Sequence, residues 1–196
     1  NTIYTSFKVK KAEKDFLKDT QIIIWTTTPW TIPVNRALAY SDKIKYSVVK
    51  LGKDNENFKD KKIIIASELV KRVSEECNFK EFKILKEFDG ADFKNTICSH
   101  PLKNMGYDYD VPMLEGDFVT LEQGTGIVHA APSHGPDDFN LCLKHGIKAS
   151  NTISDGGLYA KEIPFFSGVH IFKADNQVIE KLVEHKSLLG NSKLQH

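Results

Sequence analysis

The apolar residues of this chain are grouped in a way that predicts mostly short β-strands. Seven segments are rich in β-branched or aromatic residues, a composition typical of strands. They do not alternate regularly with helices, so a doubly wound parallel sheet is not expected. The pattern favours a β-rich α+β structure, curled, with helices at its periphery. The predicted strands are Gln21–Trp25, Tyr46–Lys50, Lys62–Ala66, Phe82–Phe88, Asp117–Leu121, Gly126–Ala130 and Val169–Phe172.

Three other segments show helical spacing. The first is predicted to be capped by Ser67, the second to begin at Pro136 and end at Gly146, and the third to be capped by Asp175. The buried faces are expected to carry Leu69, Val70 and Val73, then Phe139, Cys142 and Leu143, and finally Val178, Ile179, Leu182 and Val183.

The connecting segments indicate one domain over residues 1–196. Lys50–Lys62 is charged and predicts a solvated hairpin loop, whereas Ser99–Gly116 predicts a long irregular connection. The sequence shows no repeat, no secretory leader and no apolar run near the roughly 20 residues that span a bilayer. Its three cysteines have no paired spacing, which favours a reducing compartment. We therefore expect a cytoplasmic domain without a membrane partner.

The charge balance limits how the chain can meet nucleic acid. Lys and Arg number 27 against 26 Asp and Glu, a formal net charge of +1. So small a net charge gives no global field that would draw the domain to a polyanion. Binding to nucleic acid would therefore depend on a local site or on other domains of a larger protein.

The first segment that carries chemistry is Trp25–Arg36. Pro29 has no N–H to donate, so a strand that reaches it must leave the ladder there. Thr26, Thr27 and Thr28 then place three hydroxyl groups at the strand end, where they can contact a ligand. The alternative is that this threonine run simply forms a good strand.

The second segment is Gly124–Phe139. Its glycines allow close backbone approach, and Asp137 and Asp138 fall in the first turn of the predicted second helix. The helix dipole stabilises carboxylates there by about 0.3–1 kcal/mol each, so both are expected to be ionised at neutral pH. The alternative is that both are merely acids at a helix start, and periodicity does not say which of them faces a pocket.

A metal-dependent hydrolase is a second hypothesis, with His129, His134, Asp137 and Asp138 as ligands. Ligand pairs on a helix usually stand at i and i+4, and no such pair occurs here. We therefore expect no metal. The phosphate-loop pattern and the GxSxG nucleophile elbow are also absent, so neither nucleotide binding of that kind nor a serine nucleophile is predicted.

Together the two segments resemble the editing domain that is inserted into class I aminoacyl-tRNA synthetases for isoleucine, valine and leucine. Thr26–Ala37, TTTPWTIPVNRA, and Gly124–Phe139, GTGIVHAAPSHGPDDF, both look like the isoleucyl form. Weaker similarity continues through Phe172–Asn176, so the resemblance covers nearly the whole chain. Ala130 and Ser133 depart from residues common in the family, but both changes are small.

The resemblance implies a fold, an activity and a set of partners. The fold would be a distorted β-barrel core with peripheral helices. The activity would be hydrolysis of valine wrongly esterified to the 3′ end of isoleucine tRNA, within a larger synthetase whose remaining domains are partners. No cofactor is implied for this domain. The HIGH and KMSKS signatures of the ATP site are absent, so amino-acid activation is not expected of this chain.

The resemblance also assigns roles to residues. Asp138 matches the residue that binds the substrate ammonium, and with Thr27 it is the expected catalytic pair. His129 matches the residue that bounds the side-chain pocket and excludes isoleucine. The other expected contacts to the substrate are Thr26, Thr28, Trp30, Thr31 and Asn35. A third hypothesis is a degenerate editing domain that binds tRNA without hydrolysing it.

Overall fold

A computed structural model describes residues 1–192 of the chain, so the last four residues of the predicted domain lie outside the described part. Its ten strands are β1 (Thr2–Lys11), β2 (Thr20–Thr26), β3 (Ala37–Tyr40), β4 (Lys45–Leu51), β5 (Lys62–Ala66), β6 (Phe82–Asp89), β7 (Ile97–Ser99), β8 (Asp110–Glu115), β9 (Val128–Ala130) and β10 (Leu188–Ser192). Its three α-helices are α1 (Val70–Glu76), α2 (Pro136–Lys144) and α3 (Ile171–Glu184).

The strands form one mixed sheet. Its order is β6-β4-β5-β2-β1-β7-β8-β3-β9, with β10 added beside β1. Two neighbouring pairs, β2–β5 and β3–β8, are parallel, and the other pairs are antiparallel. The predicted β-rich α+β class is confirmed. The hydrogen-bonded path stays open between β6 and β9 in the described residues, so the word barrel fits it only loosely.

The core lies along the middle strands. The first part of β1 is fully covered because β2 lies on one edge and β10 on the other. In β2 all three consecutive isoleucines, Ile22, Ile23 and Ile24, have no exposed surface. Such a strand carries apolar residues on both faces, which is why it shows a continuous apolar run rather than alternation. This rigid centre positions the end of β2, where the threonine run begins.

Four predicted strands, β2, β4, β5 and β6, are confirmed, and Gly126–Ala130 is confirmed in part as the shorter β9. Asp117–Leu121 was wrong, since it forms turns, and Val169–Phe172 was wrong, since α3 already begins at Ile171. The hairpin between β4 and β5 is confirmed. The irregular Ser99–Gly116 connection was wrong in part because it contains β8.

Of the three predicted helix starts, one is confirmed and two are wrong. Pro136 opens α2 as expected, because its fixed φ and missing N–H suit the first helical position. Ser67 does not cap α1: a 3₁₀ turn intervenes, and its hydroxyl bonds Ser47 instead. Asp175 lies inside α3, which is capped by His170.

The buried faces were also predicted only in part. In α2 the buried residues are Leu141 and Cys142, whereas Phe139 and Leu143 are exposed. In α3 the expected Val178 and Leu182 are buried, but Val183 is exposed.

Candidate functional site

A cavity of about 400 Å³ opens where the two sequence motifs meet. It is lined by the end of β2 and the turn after it, by the loop before β9, and by the segment from β9 into α2. Six of the residues expected to form the site line it: Thr26, Thr27, Thr28, Thr31, His129 and Asp138. Trp30 and Asn35 are not among the lining residues, although both contact residues that are.

One wall of the cavity consists of Thr26, Thr27 and Thr28 and is called the threonine wall. Its position depends on Pro29. The strand β2 ends at Thr26, and a 3₁₀ turn begins at Pro29, as the missing N–H requires. Between them, the Thr26 hydroxyl accepts a hydrogen bond from the Thr28 N–H at 3.1 Å and lies 3.2 Å from the Thr28 hydroxyl. Thr26 is buried by this arrangement, whereas Thr27 and Thr28 remain exposed towards the cavity. The wall thus presents two accessible hydroxyls on a fixed turn.

His129 is held at both ring nitrogens. Its Nδ1 lies 3.1 Å from the amide nitrogen of Asn35, and its Nε2 lies 2.8 Å from the Thr31 hydroxyl. The same Asn35 nitrogen donates to the Ala37 carbonyl at 3.0 Å, which fixes the orientation of the amide. Asn35 therefore donates to Nδ1, and a neutral imidazole must carry its proton on Nε2.

The hydrogen bonds around His129 run in one direction. Nε2–H donates to the Thr31 hydroxyl, which in turn donates to the Thr28 carbonyl at 2.8 Å. Burial lowers the pKa of His129 to about 4, with a smaller contribution from repulsion by His134. At neutral pH the ring is therefore uncharged. Since both nitrogens are used inside the protein, the ring can offer only carbon to a ligand in the cavity.

Asp138 supplies the carboxylate of the cavity. It is the third residue of α2, and its Oδ2 accepts a hydrogen bond from the Ala131 N–H at 2.9 Å. Burial raises the pKa of Asp138, the Ala131 bond opposes this, and the charge of Asp137 adds to the rise. A cationic ligand would favour the ionised form. Asp137 also lines the cavity, but its side chain is exposed and, unlike that of Asp138, accepts no backbone hydrogen bond in the described residues.

Trp30 serves the site through its backbone. Its N–H donates to Asp175 Oδ1 at 3.0 Å, and its carbonyl accepts a hydrogen bond from the Tyr159 hydroxyl. The indole ring meets His134 edge to face, with ring centroids 5.1 Å apart. Because Asp175 belongs to α3, the helix is bonded directly to the turn that carries the threonine wall.

The loop before β9 closes the opposite side of the cavity. The Thr125 hydroxyl donates to the Ile23 carbonyl at 2.6 Å, which ties the loop to β2. Gly126 has a φ of +79°, and a Cβ there would lie 2.5 Å from the Cβ of Ala66. Only glycine meets both demands, which gives a structural reason for the second glycine of the motif.

The geometry gives the metal hypothesis no ligand set. Within residues 1–192, no group of three or more His, Cys, Asp or Glu side chains is arranged to hold a metal ion. Both nitrogens of His129 already have partners, and His134 Nε2 lies 2.9 Å from the Thr152 hydroxyl.

Several lining residues escaped sequence reasoning. Phe118, Thr120 and Gln123 line the cavity from the segment that had been predicted as a strand and the turn after it. Trp25 belongs to the first motif but was assigned no role, and the contribution of Ala131 is a backbone N–H that side-chain type does not reveal. Thr120 and Gln123, the polar residues just before the second motif, were the feature of the sequence that could have indicated this part of the lining.

The sheet and its cavity define a class of protein, the editing domains of aminoacyl-tRNA synthetases. The chain belongs to the family described as "Leucyl-tRNA synthetase, editing domain", whose model matches residues 4–167. The resemblance seen in the two motifs is thereby confirmed. The membership rests on 164 of the 196 residues, counted from that range.

Among named proteins, the chain is similar to isoleucine–tRNA ligases. It is 59% identical over 196 residues to that of Pelagibacter ubique (strain HTCC1062) and covers 22% of it. It is 43% identical over 188 residues, 93% of the chain, to that of Gluconobacter oxydans (strain 621H) and covers 20% of it. The chain thus spans about a fifth of the length of these curated relatives.

Solved structures show the same fold at low identity. The crystal structure of GlLeuRS-CP1 matches with a TM-score of 0.74 and 13% identity, over 99% of this chain and 100% of the other. The Plasmodium falciparum cytosolic leucyl-tRNA synthetase editing domain matches with a TM-score of 0.69 and 9% identity, over 95% of this chain and 97% of the other. In the part of the chain that the structure describes, no helix is long and apolar enough to cross a membrane.

Proposed function

We propose that this domain hydrolyses the ester of valine wrongly attached to isoleucine tRNA. The observation that carries the proposal is the cavity itself, in which the Asp138 carboxylate lies with the threonine wall and the locked, neutral His129. The similarity to isoleucine–tRNA ligases supports this choice of tRNA. The partners would be the 3′ end of that tRNA and the remaining domains of a parent synthetase in the cytoplasm.

Asp138 would bind the α-ammonium group of the esterified amino acid. A carboxylate at a partly dry site forms a charge-assisted hydrogen bond, about twice as strong as a neutral one. Oδ2 is already oriented by the Ala131 N–H, so the carboxylate needs no reorganisation when the substrate enters. Binding the ammonium would place the neighbouring ester carbonyl close to the threonine wall.

The threonine wall would position the ester and the attacking water. Thr27 and Thr28 are the exposed hydroxyls, whereas Thr26 and Thr31 are buried and hold the turn in place. In the reaction, water oxygen bonds to the carbonyl carbon and the bond from that carbon to the ribose oxygen breaks. The displaced ribose oxygen takes up a proton, so the products are valine and free tRNA. Thr27 would contact the reacting atoms.

His129 would set the size limit of the amino-acid pocket. A ring with both nitrogens bonded inside the protein is a rigid wall rather than a base, and its low pKa makes it a weak proton acceptor. One methylene in an apolar pocket is worth about 1–3 kcal/mol, a range for which isoleucyl enzymes are themselves a standard example. A rigid steric wall is the means by which a hydrolytic pocket admits valine and refuses the larger isoleucine.

The proposal is tested by single-turnover deacylation of valyl- and isoleucyl-tRNA with Asp138→Asn, and with Asp137→Asn as the matched control. A hydrogen bond to a charged group is worth about 1.5–3 kcal/mol, so Asp138→Asn should lower kcat/KM on valyl-tRNA by roughly 10- to 150-fold. Asp137→Asn, on the exposed neighbour, should stay near the wild-type rate. Equal effects of the two variants would contradict the assignment.

Two further outcomes separate the competing hypotheses. Activity that disappears on treatment with a chelator and returns with zinc or manganese would favour a metal-dependent hydrolase over a cofactor-free domain. Binding of tRNA without deacylation by the wild-type chain would favour a non-catalytic tRNA-binding module. Deacylation that is selective for valyl-tRNA and insensitive to chelator is the result expected here.

A further inference from the structure

A second pocket, separate from the editing cavity, has a lining rich in hydrogen-bond donors. Its volume is about 250 Å³, and we call it the lysine pocket. Three serines, an asparagine and two lysines supply polar groups, and no carboxylate is among the lining residues. The lining consists of Ser6, Lys8, Ser99, His100, Pro101, Lys103, Asn104, His185 and Ser187.

The pocket contains a buried hydroxyl without a partner. Ser6 is 98% buried, and its Oγ makes no hydrogen bond within residues 1–192. A buried polar group without a partner costs about 1–3 kcal/mol unless a ligand or an ordered water satisfies it. Its backbone N–H donates to the Ser187 carbonyl at 2.9 Å, so the main chain that carries this hydroxyl is held in the wall of the pocket.

Positive charge is concentrated beside this hydroxyl. Lys8 lies in the pocket lining two residues after Ser6, and burial, followed by repulsion from Lys8 and from Lys186, holds the pKa of Lys61 below its usual range. None of these lysines, nor Lys103, forms an ion pair among the described residues. Lysines that lie near one another without a counter-ion provide a site for an anion.

The end of α3 does not account for the lysines. Cations often stand at a helix C-terminus to satisfy its free carbonyls. Here the carbonyls of Lys181, Leu182 and Val183 accept hydrogen bonds from the backbone N–H groups of residues 185–187. Three of the last four carbonyls of α3 are therefore satisfied without the Lys186 side chain.

One residue of the pocket wall also contacts the 3₁₀ turn Pro29–Val34, which follows the threonine wall. His100 is buried and neutral, since burial lowers its pKa to about 3. Its Nε2 donates to the Ile32 carbonyl at 2.9 Å, and its Nδ1 accepts from the Leu102 N–H at 3.0 Å. Ile32 belongs to the 3₁₀ turn that carries Thr31. The lysine pocket and the turn that carries Thr31 are thus joined through the ring of His100.

From these observations we infer that the lysine pocket binds a backbone phosphate of the tRNA. The inference rests on the proposed function, because it assumes that tRNA is the substrate. It gives a domain with a net charge of +1 a local means of holding a polyanion. Hydroxyl, amide and ammonium donors without a carboxylate match the acceptor oxygens of a phosphodiester.

The test compares binding of deacylated isoleucine tRNA to the 196-residue chain, to Lys8→Ala/Lys103→Ala, and to Lys53→Ala/Lys83→Ala. The control pair removes the same charge from exposed positions outside the pocket. Fluorescence anisotropy over a salt series gives the affinity and its salt dependence. The pocket variant should bind roughly tenfold more weakly at about 50 mM salt, and its log–log salt slope should fall by about 0.7–0.9 for each phosphate that is no longer neutralised. The control should keep the wild-type affinity and slope. Equal effects in the two pairs would overturn the inference.

A second variant guards against misfolding, and a second ligand tests the source of the phosphate. Asn104→Asp adds a carboxylate at the exposed rim and should weaken tRNA binding in the same direction, with an unchanged melting temperature. Inorganic phosphate should compete with tRNA for the wild-type chain. If phosphate binds the pocket without displacing tRNA, and Lys8→Ala/Lys103→Ala binds tRNA normally, the site holds free phosphate and the inference is wrong. Failure of the proposed function is read separately, from the absence of valyl-tRNA deacylation by the wild-type chain.

Discussion

Replacing His129 with alanine is the sharpest test of the size limit. The ring is 8% exposed and makes hydrogen bonds with both Asn35 and Thr31. Removing it deletes two hydrogen bonds at about 0.5–1.5 kcal/mol each and opens a cavity. We therefore expect the free energy of unfolding to fall by roughly 2–4 kcal/mol. Each former partner keeps one hydrogen bond, because Asn35 still donates to the Ala37 carbonyl and Thr31 to the Thr28 carbonyl.

The gain in pocket space should appear as a change of specificity. Relieving the clash with one methylene is worth about 1–3 kcal/mol, so kcat/KM for isoleucyl-tRNA should rise roughly 5- to 150-fold. The rate on valyl-tRNA should change much less. The assay is single-turnover deacylation of both esters, well below the melting temperature of the variant.

The matched control is Asn35→Ala. Asn35 is fully buried and bonds His129 but does not line the cavity, so its loss should destabilise the fold, while the ring stays in place through its Thr31 bond and isoleucine is still refused. A folded His129→Ala variant that hydrolyses valyl-tRNA and still rejects isoleucyl-tRNA would refute the steric role. An equal decrease on both esters would instead make His129 part of the chemistry.

Two further predictions concern stability. The pKa values of His129 and His100, about 4 and about 3, lie below the unfolded value of 6.5. Protons therefore bind preferentially to the unfolded chain, so unfolding free energy should fall from pH 6.5 towards pH 4. The loss should be on the order of 3 kcal/mol for each histidine, measured by urea titration, and His100→Gln should flatten the curve. Gly126→Ala should cost about 2–4 kcal/mol, since its Cβ would meet Ala66 and its φ is positive. Gly146→Ala, at a similar φ with open space, should cost only about 1–2 kcal/mol; equal costs would disprove the clash.

Part of the site could be predicted from the local chemistry of the sequence. Pro29 prevents β2 from continuing, and Pro136 begins α2, because proline has no N–H to donate in any surroundings. These two prolines therefore fix the positions of the threonine wall, just before Pro29, and of Asp138, in the first turn of α2. The continuous apolar run of β2 likewise marks a central strand from sequence alone.

The rest depends on contacts between distant residues. Asp175 was expected to cap a helix, but its carboxylate is used 145 positions away, at the Trp30 N–H. The sequence does not show that Asn35 and Thr31 would take both nitrogens of His129, although that pairing decides its role. The strand β1 was overlooked because its lysines lie at one end, while its first six residues are almost wholly buried between neighbouring strands.

The bond between Asp175 and Trp30 bears on how this module can be cut from a larger chain. The family match ends at residue 167, before α3 begins. A fragment trimmed to that boundary would keep every residue that lines the editing cavity and yet lose the carboxylate that anchors the turn behind it. A fragment that keeps this anchor must therefore extend through α3, as does the similarity to an isoleucine–tRNA ligase over 196 residues.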